Sequence, residues 1–466
     1  MEQPQPPPLA LMRSLGAWDA ASIVVGTIIG SGIFLVPSTM ATAVGTPGMV
    51  LLVFAVGGML SLAGALTYAE LGAAMPHAGG EYVYLREAYG PLWGFLYGWT
   101  QFWVAKSGSI ATLGTAFFYY FANFWPALEA TLFVVPLPLG PGGQPLAVSS
   151  GQILAMVLIF GLAWVNYFGV KVGGRVQTSV TVLKIVLILA IVGLAAVLGG
   201  GRMSNLVSVA KHRGGISGFF VALVAALWAY DGWNNLSMAS GEVKDPGKNI
   251  PRALIFGVLA VMAIYALTNV AYFYVLPAQE IAGSTRVASD VADAFLGGAG
   301  GDAVALAAMI SIFAALNGSI LSGARVPYAM ARDGYFFAGL GSVHPRYRSP
   351  HVSTLAMSGW AALLVLSGSY EQLFTYVIFA SWIFYGMAGA TVFMLRRKRP
   401  DLERPHHVIG YPAVPLFFVV MAALLVVRTL LDSPRESLMG LALIILGIPF
   451  YWIWRKSAAL PRSGAR

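Results

Sequence analysis

Val25-Gly26-Thr27-Ile28-Ile29-Gly30-Ser31-Gly32-Ile33-Phe34 places three glycines and two hydroxyls inside a long apolar run. Each glycine costs a helix interior about 1 kcal/mol relative to alanine. Clustered at Gly30 and Gly32 around Ser31, they favour local unwinding, which at membrane depth is tolerated only inside protein or beside a watery cavity. Such a break frees N–H groups on one side, where the next half-helix begins, and C=O groups on the other. The first can hold an anion and the second a cation, so together they suit a small zwitterion. The same residues also fit a close helix crossing through small side chains.

Two charges stand in comparable places. Lys184 lies within Val180-Thr181-Val182-Leu183-Lys184-Ile185-Val186-Leu187, with two apolar turns beyond it. A charge at the bilayer centre costs at least about 2.5–3.5 kcal/mol, so Lys184 is expected to face the bundle and meet carbonyls or hydroxyls. Free carbonyls of a broken helix would serve, and the ammonium would then supply the charge a sodium ion otherwise brings. Proton coupling is another option, since burial favours the neutral amine. Asp231 sits in Trp228-Ala229-Tyr230-Asp231-Gly232-Trp233-Asn234. It is suited to a substrate amino group or basic side chain, and equally to capping the next half-helix. Trp228 beside the break can be core or gate, and Asn234 can bond freed backbone or substrate. Asn317-Gly318-Ser319 offers amide and hydroxyl groups to Lys184 or to substrate, whereas Lys106, amid Gln101, Ser107, Gly108 and Ser109, suggests a solvated vestibule.

The elements that must hold these residues are membrane helices. Of 466 residues, 58% are hydrophobic and 10% charged, with mean hydropathy +0.74, against roughly 25% charged in soluble domains. Twelve apolar runs of about 18 residues or more predict an all-α polytopic membrane protein with 12 transmembrane helices. Spans 1 to 6 are expected near 14–40, 48–73, 91–121, 151–168, 176–198 and 216–240. Spans 7 to 12 follow near 251–276, 303–330, 352–366, 372–395, 412–431 and 438–454. Residues 126–149 and the glycine-rich 297–301 are expected as loops. Most of the 28 Lys and Arg fall in loops on one side, including Arg396-Arg397-Lys398-Arg399, with Lys211-His212-Arg213 an exception. This bias predicts an inner-membrane protein with both termini cytoplasmic. Only spans 1 and 6 carry a polar break in mid-membrane. Lying five apart, they cross in opposite senses, so the chain reads as two inverted groups of five. Paired interrupted spans point to a transport site at the repeat interface.

Several classes are excluded by composition. With no cysteine there is no thiolate metal site and no disulfide to a partner subunit. Histidine is scarce, and no catalytic Ser/His/Asp set, H-E-x-x-H motif or phosphate-binding loop lysine occurs, so neither an enzyme, a metal nor a cofactor is expected. The net charge of +9 marks cytoplasmic loops rather than nucleic-acid binding. Met1 to Leu9 is polar and Pro-rich, which argues against a cleaved leader. The short tails argue against a signalling receptor.

Glu242-Val243-Lys244-Asp245-Pro246, Ala331-Arg332-Asp333-Gly334, His344-Pro345, Phe384-Tyr385-Gly386 and Arg399-Pro400-Asp401-Leu402 accompany the three stretches already quoted. Taken together, the chain resembles the amino acid–polyamine–organocation superfamily and, within it, a prokaryotic member of the L-type amino acid transporter family. The resemblance implies a LeuT-type fold with a five-plus-five inverted repeat. It would divide the chain into repeats at 1–200 and 201–396, followed by spans 11 and 12 in 397–466. It implies that amides around Gly30, Ser31 and Gly32 hold the substrate carboxylate. Ile28, Trp228 and Asp231, with Asn234 near by, would hold the amino group, chiefly through carbonyls. It places Lys184 where sodium-independent members have a lysine in place of the metal, and the Ser319 hydroxyl is expected to serve that lysine. The expected function is a sodium-independent L-amino acid exchanger working by alternating access. The alternative is a proton-coupled symporter of cationic amino acids or polyamines. Asp231 occurs in relatives for cationic and neutral substrates alike. Gly241-Glu242 departs from the family's usual Glu-Glu, so the cytoplasmic gate is expected to differ.

Overall fold

The computed structural model describes residues 9–136, 145–211, 214–366 and 370–459, without the side chains of 370–378, 436 and 456–459. His212 and Arg213 of the basic exception lie outside the described residues. Eight helices among them are long and apolar enough to cross a membrane: Ala17–Val44, Pro47–Ala74, Ser150–Tyr167, Val170–Leu198, Pro246–Val275, Gly298–Arg332, Ala413–Asp432 and Ser437–Arg455. Gly215–Tyr230 and His351–Val365 are shorter apolar helices, and Tyr370–Lys398 is helical over span 10. Large apolar side chains such as Val186, Leu189, Phe256, Leu306 and Val427 point outward, the pattern of helices solvated by lipid rather than water.

Span 1 is two helices, Ala17–Ile28 and Gly32–Val44. Ile29 leaves helical geometry at ψ 90° and donates its N–H to Val25 O, and the next helix begins at Gly32. Span 6 is likewise broken. Its first helix, Gly215–Tyr230, ends at an extended Asp231, Gly232 takes φ +100°, and one short turn, Asn235–Met238, follows. Only glycine adopts φ near +100° without strain. The two breaks lie against each other: a Cβ on Gly32 would come within 2.6 Å of Ala229 Cα.

Several stretches differ from the sequence reading, span 5 among them, which begins at Val170 rather than near 176. Span 3 is not one regular helix. Pro91–Thr100 passes through a π-helical turn, Gln101–Ala105, before Lys106–Phe121. The glycines after Gly297 do not form a loop, because Gly298–Gly323 is already helical and packs on Val287–Leu296. Part of the expected loop at 126–149 is an antiparallel hairpin, Thr131–Val135 against Leu146–Ser149. Its Leu-Phe-Val-Val run has the β-branched and aromatic content of a strand. Finally, span 7 begins earlier than expected, with Pro246 at the first turn of the helix Pro246–Val275, where a missing N–H costs nothing.

Candidate functional site

Unwinding span 1 leaves backbone carbonyls that a continuous helix would have used, and buried groups of three other spans meet them. Lys184 has no exposed surface. Its Nζ donates to Gly26 O at 2.7 Å and also to Ile29 O. Ser311 Oγ donates to the same Ile29 O at 3.0 Å. Tyr265 Oη donates to Ile28 O at 3.0 Å and Ala229 O at 2.8 Å, so one hydroxyl bridges both breaks. Thr27 Oγ1 donates across to Gly232 O at 2.9 Å. Each carbonyl has two lone pairs, and Ile29 O has both engaged, by Lys184 and Ser311, which fixes the break of span 1.

Between the breaks lies a space of about 310 Å³, including the part open to solvent. It is lined by Thr27, Ile28, Gly30, Ser31, Gly32, Ser109, Leu113, Trp228, Asp231, Gly232 and Ser319. One wall is the amino end of Gly32–Val44, whose helix dipole favours an anion. Beside it the carbonyl end of Gly215–Tyr230 favours a cation. Asp231 lines the same space, and its Oδ1 accepts from Tyr385 Oη at 3.1 Å.

The sequence-derived residues do not all gather here. Ile28, Gly30, Ser31, Gly32, Trp228, Asp231 and Ser319 line the cavity. Lys184 lies behind it, on the carbonyls. Ser319 does not stand with Lys184: the span 8 hydroxyl sharing its carbonyl is Ser311, eight residues or about 12 Å earlier along the helix. Asn317 joins Asn166 at 2.8 Å and Gln177 at 2.9 Å. It ties spans 4, 5 and 8 together and meets neither lysine nor cavity. Asn234 is also displaced from the expected role. Its side chain turns from the cavity and donates to Glu81.

Glu81, Tyr265 and Ser311 escaped the sequence reading, and Lys106 differs from it. Glu81 opens the helix Glu81–Tyr89 that links spans 2 and 3, and it is fully buried. It accepts from Tyr97 Oη at 3.0 Å as well as from Asn234. Burial pushes its carboxyl up to about 7, although these two bonds and Lys106 pull the other way. Lys106 is only 3% exposed and donates to Asn235 Oδ1 at 2.6 Å, so its surroundings are not a solvated vestibule. The π-turn directly before it was a signal in principle, since such turns collect at functional sites, but no residue type marks one in sequence. Tyr265 and Ser311 look like ordinary members of apolar runs.

Glu242 and Arg325 form a second buried pair on the basic-loop side of the breaks, at 2.6 Å and 3.1 Å. Ser14 and Leu15 donate their N–H groups to Glu242 O at 2.9 Å each, which docks the amino-terminal segment on the same residue.

The sequence profile of the amino acid permeases matches residues 15–464. The chain belongs to the amino acid permease family. Among this permease's relatives is the serine/threonine exchanger SteT of Bacillus subtilis, 33% identical over 96% of this chain and 98% of that protein. The human b(0,+)-type amino acid transporter 1 is 31% identical over 97% of the permease and 90% of its own length. The human cystine/glutamate transporter is 30% identical over 98% and 88%. The match extends through both breaks, Lys184 and the Glu242–Arg325 pair, so the permease is a multi-pass membrane protein aligned with transporters throughout its described length.

Proposed function

We propose that this permease is a sodium-independent L-amino acid exchanger. The single observation that carries the reading is Lys184, whose ammonium donates to the Gly26 and Ile29 carbonyls at the break of span 1. A resident cation holds those dipoles, so no metal ion is needed to orient them. The substrate carboxylate rests on the amides of Gly30, Ser31 and Gly32. Its ammonium rests on the Ile28 and Trp228 carbonyls, with Asp231 near by. Trp228 and the first helix of span 6 close over it.

The architecture we assign is twelve spans in the LeuT-type arrangement. The two inverted repeats are 1–200 and 201–396, and 397–466 carries the last two spans. Both termini are cytoplasmic in the inner membrane. The Glu242–Arg325 pair and the docked amino-terminal segment then form the cytoplasmic closure, which opens when the pair separates. That SteT is by name an exchanger supports exchange over symport. Without cysteine no disulfide joins a second subunit.

The test is exchange in proteoliposomes. Labelled amino acid uptake should be stimulated by unlabelled amino acid inside and unchanged when sodium is replaced by choline. Lys184→Ala should lower sodium-free exchange at least tenfold. Undiminished exchange by that variant would show that the ammonium does not hold the break.

A further inference from the structure

Around the break of span 6 a carboxylate, Glu81, and an ammonium, Lys106, are buried, and a second carboxylate, Asp231, is partly buried. Asp231 lines the cavity, Glu81 accepts from Asn234, and Lys106 donates to Asn235, four residues beyond Asp231 across the same break. Lys106 is one helical turn from Ser109, a cavity wall, on the side away from Leu113. Its stem is wedged against span 8, for a Cβ on Gly323 would lie 2.5 Å from Lys106 Cγ. Its head is fixed by Asn235 Oδ1 at 2.6 Å, and it attracts both Asp231 and Glu81. No salt bridge to Asp231 occurs among the described residues, and its hydroxyl partner is Tyr385 at 3.1 Å. Asp231 thus shares the break of span 6 with a lysine of the protein itself, which Asn235 holds without a direct bond to the carboxylate.

Resting on the exchanger reading above, we infer that Lys106 is a specificity-determining residue: it supplies the cation that Asp231 would otherwise recruit from a substrate side chain, so the site admits amino acids with uncharged side chains and refuses basic ones. A lysine or arginine substrate would bring a second cation into a cavity whose carboxylate already has one. Like charges in a buried site repel strongly, because little water screens them. The α-ammonium is received by the Ile28 and Trp228 carbonyls, whose dipoles Lys106 does not neutralise. Specificity here arises from a built-in repulsive element, as discrimination between similar ligands commonly does.

The experiment compares wild type with Lys106→Met in proteoliposomes loaded with unlabelled alanine and offered labelled alanine or arginine. Wild type should exchange alanine and leave arginine near background. Lys106→Met should keep alanine exchange and raise the arginine-to-alanine ratio at least tenfold. Adding Asp231→Asn should abolish that gain, because the carboxylate is what the arginine side chain meets. Alanine exchange by Lys106→Met without arginine entry would overturn the inference, as would wild type that takes arginine as readily as alanine. Lys106→Gln, which keeps a hydrogen bond to Asn235 and drops the charge, carries the same expectation should the methionine variant misfold. Thermal shift of the detergent-purified variants with arginine separates the two readings. Arginine should stabilise the lysine-free variants and not wild type, whether or not exchange occurs. Absence of alanine exchange in wild type would instead sink the exchanger reading.

Discussion

Tyr265 shows how much a single hydroxyl can organise. Its O–H reaches Ile28 O and Ala229 O, which belong to the two different breaks. Tyr265→Phe leaves both carbonyls with one partner fewer in a dry interior, at a cost of about 1–3 kcal/mol. A lower melting temperature in detergent and slower exchange are the expected results, and an unchanged melting temperature would show that water replaces the hydroxyl. Glu81 yields a pH prediction of its own. Its carboxyl is held at about 7 in the folded protein against 4.5 for the free group, so the native state binds this proton more tightly than the unfolded state. Its contribution to stability is complete below about pH 4.5 and is lost as pH rises to about 7, a fall of roughly 3 kcal/mol. Glu81→Gln should flatten the melting temperature across that window, whereas an equal slope in both proteins would place the titration elsewhere.

At the scale of elements, the breaks work because they touch. Gly32 leaves no room for a side chain beside Ala229, and Gly232 holds a backbone angle of +100°. Gly32→Ala should separate span 1 from span 6 and remove substrate-induced thermal stabilisation, even if the protein still inserts. Retained stabilisation would mean that the close approach is not needed for binding. The Glu242–Arg325 pair belongs to the same scale, since it joins the end of span 6, the end of span 8 and the amino-terminal segment. Removing one partner of a buried pair strands the other and costs about 3–5 kcal/mol. Arg325→Met should therefore be more destabilising than the double change Arg325→Met with Glu242→Met. The opposite order, read from unfolding midpoints, would show that the pair itself is the main source of stability there.

For the whole molecule, the basic loops, the lipid-facing apolar belt and the two breaks describe one object with a direction. The chain has no cysteine, so single introduced cysteines report sidedness against a silent background. In spheroplasts, Glu129→Cys should label with an impermeant maleimide from outside, and Arg397→Cys only after permeabilisation. The reverse pattern would invert the assigned orientation.

What was legible in the sequence and what was not separate along a physical line. Apolar runs, loop charge, glycines in mid-span and charges with nowhere to snorkel are local properties, and they determined the helical membrane class, the places of both breaks and the inward placement of Lys184 and Asp231 beside them. The partners of those residues are set by helix rotation and crossing, which depend on the mutual packing of many side chains and leave no mark on any one segment. Hence Ser311 rather than Ser319 shares the carbonyl of Lys184, Asn234 turns to Glu81, and Lys106 is buried rather than solvated. Which dipoles are freed is written along the chain, whereas what answers them depends on which neighbours the fold brings within hydrogen-bond reach.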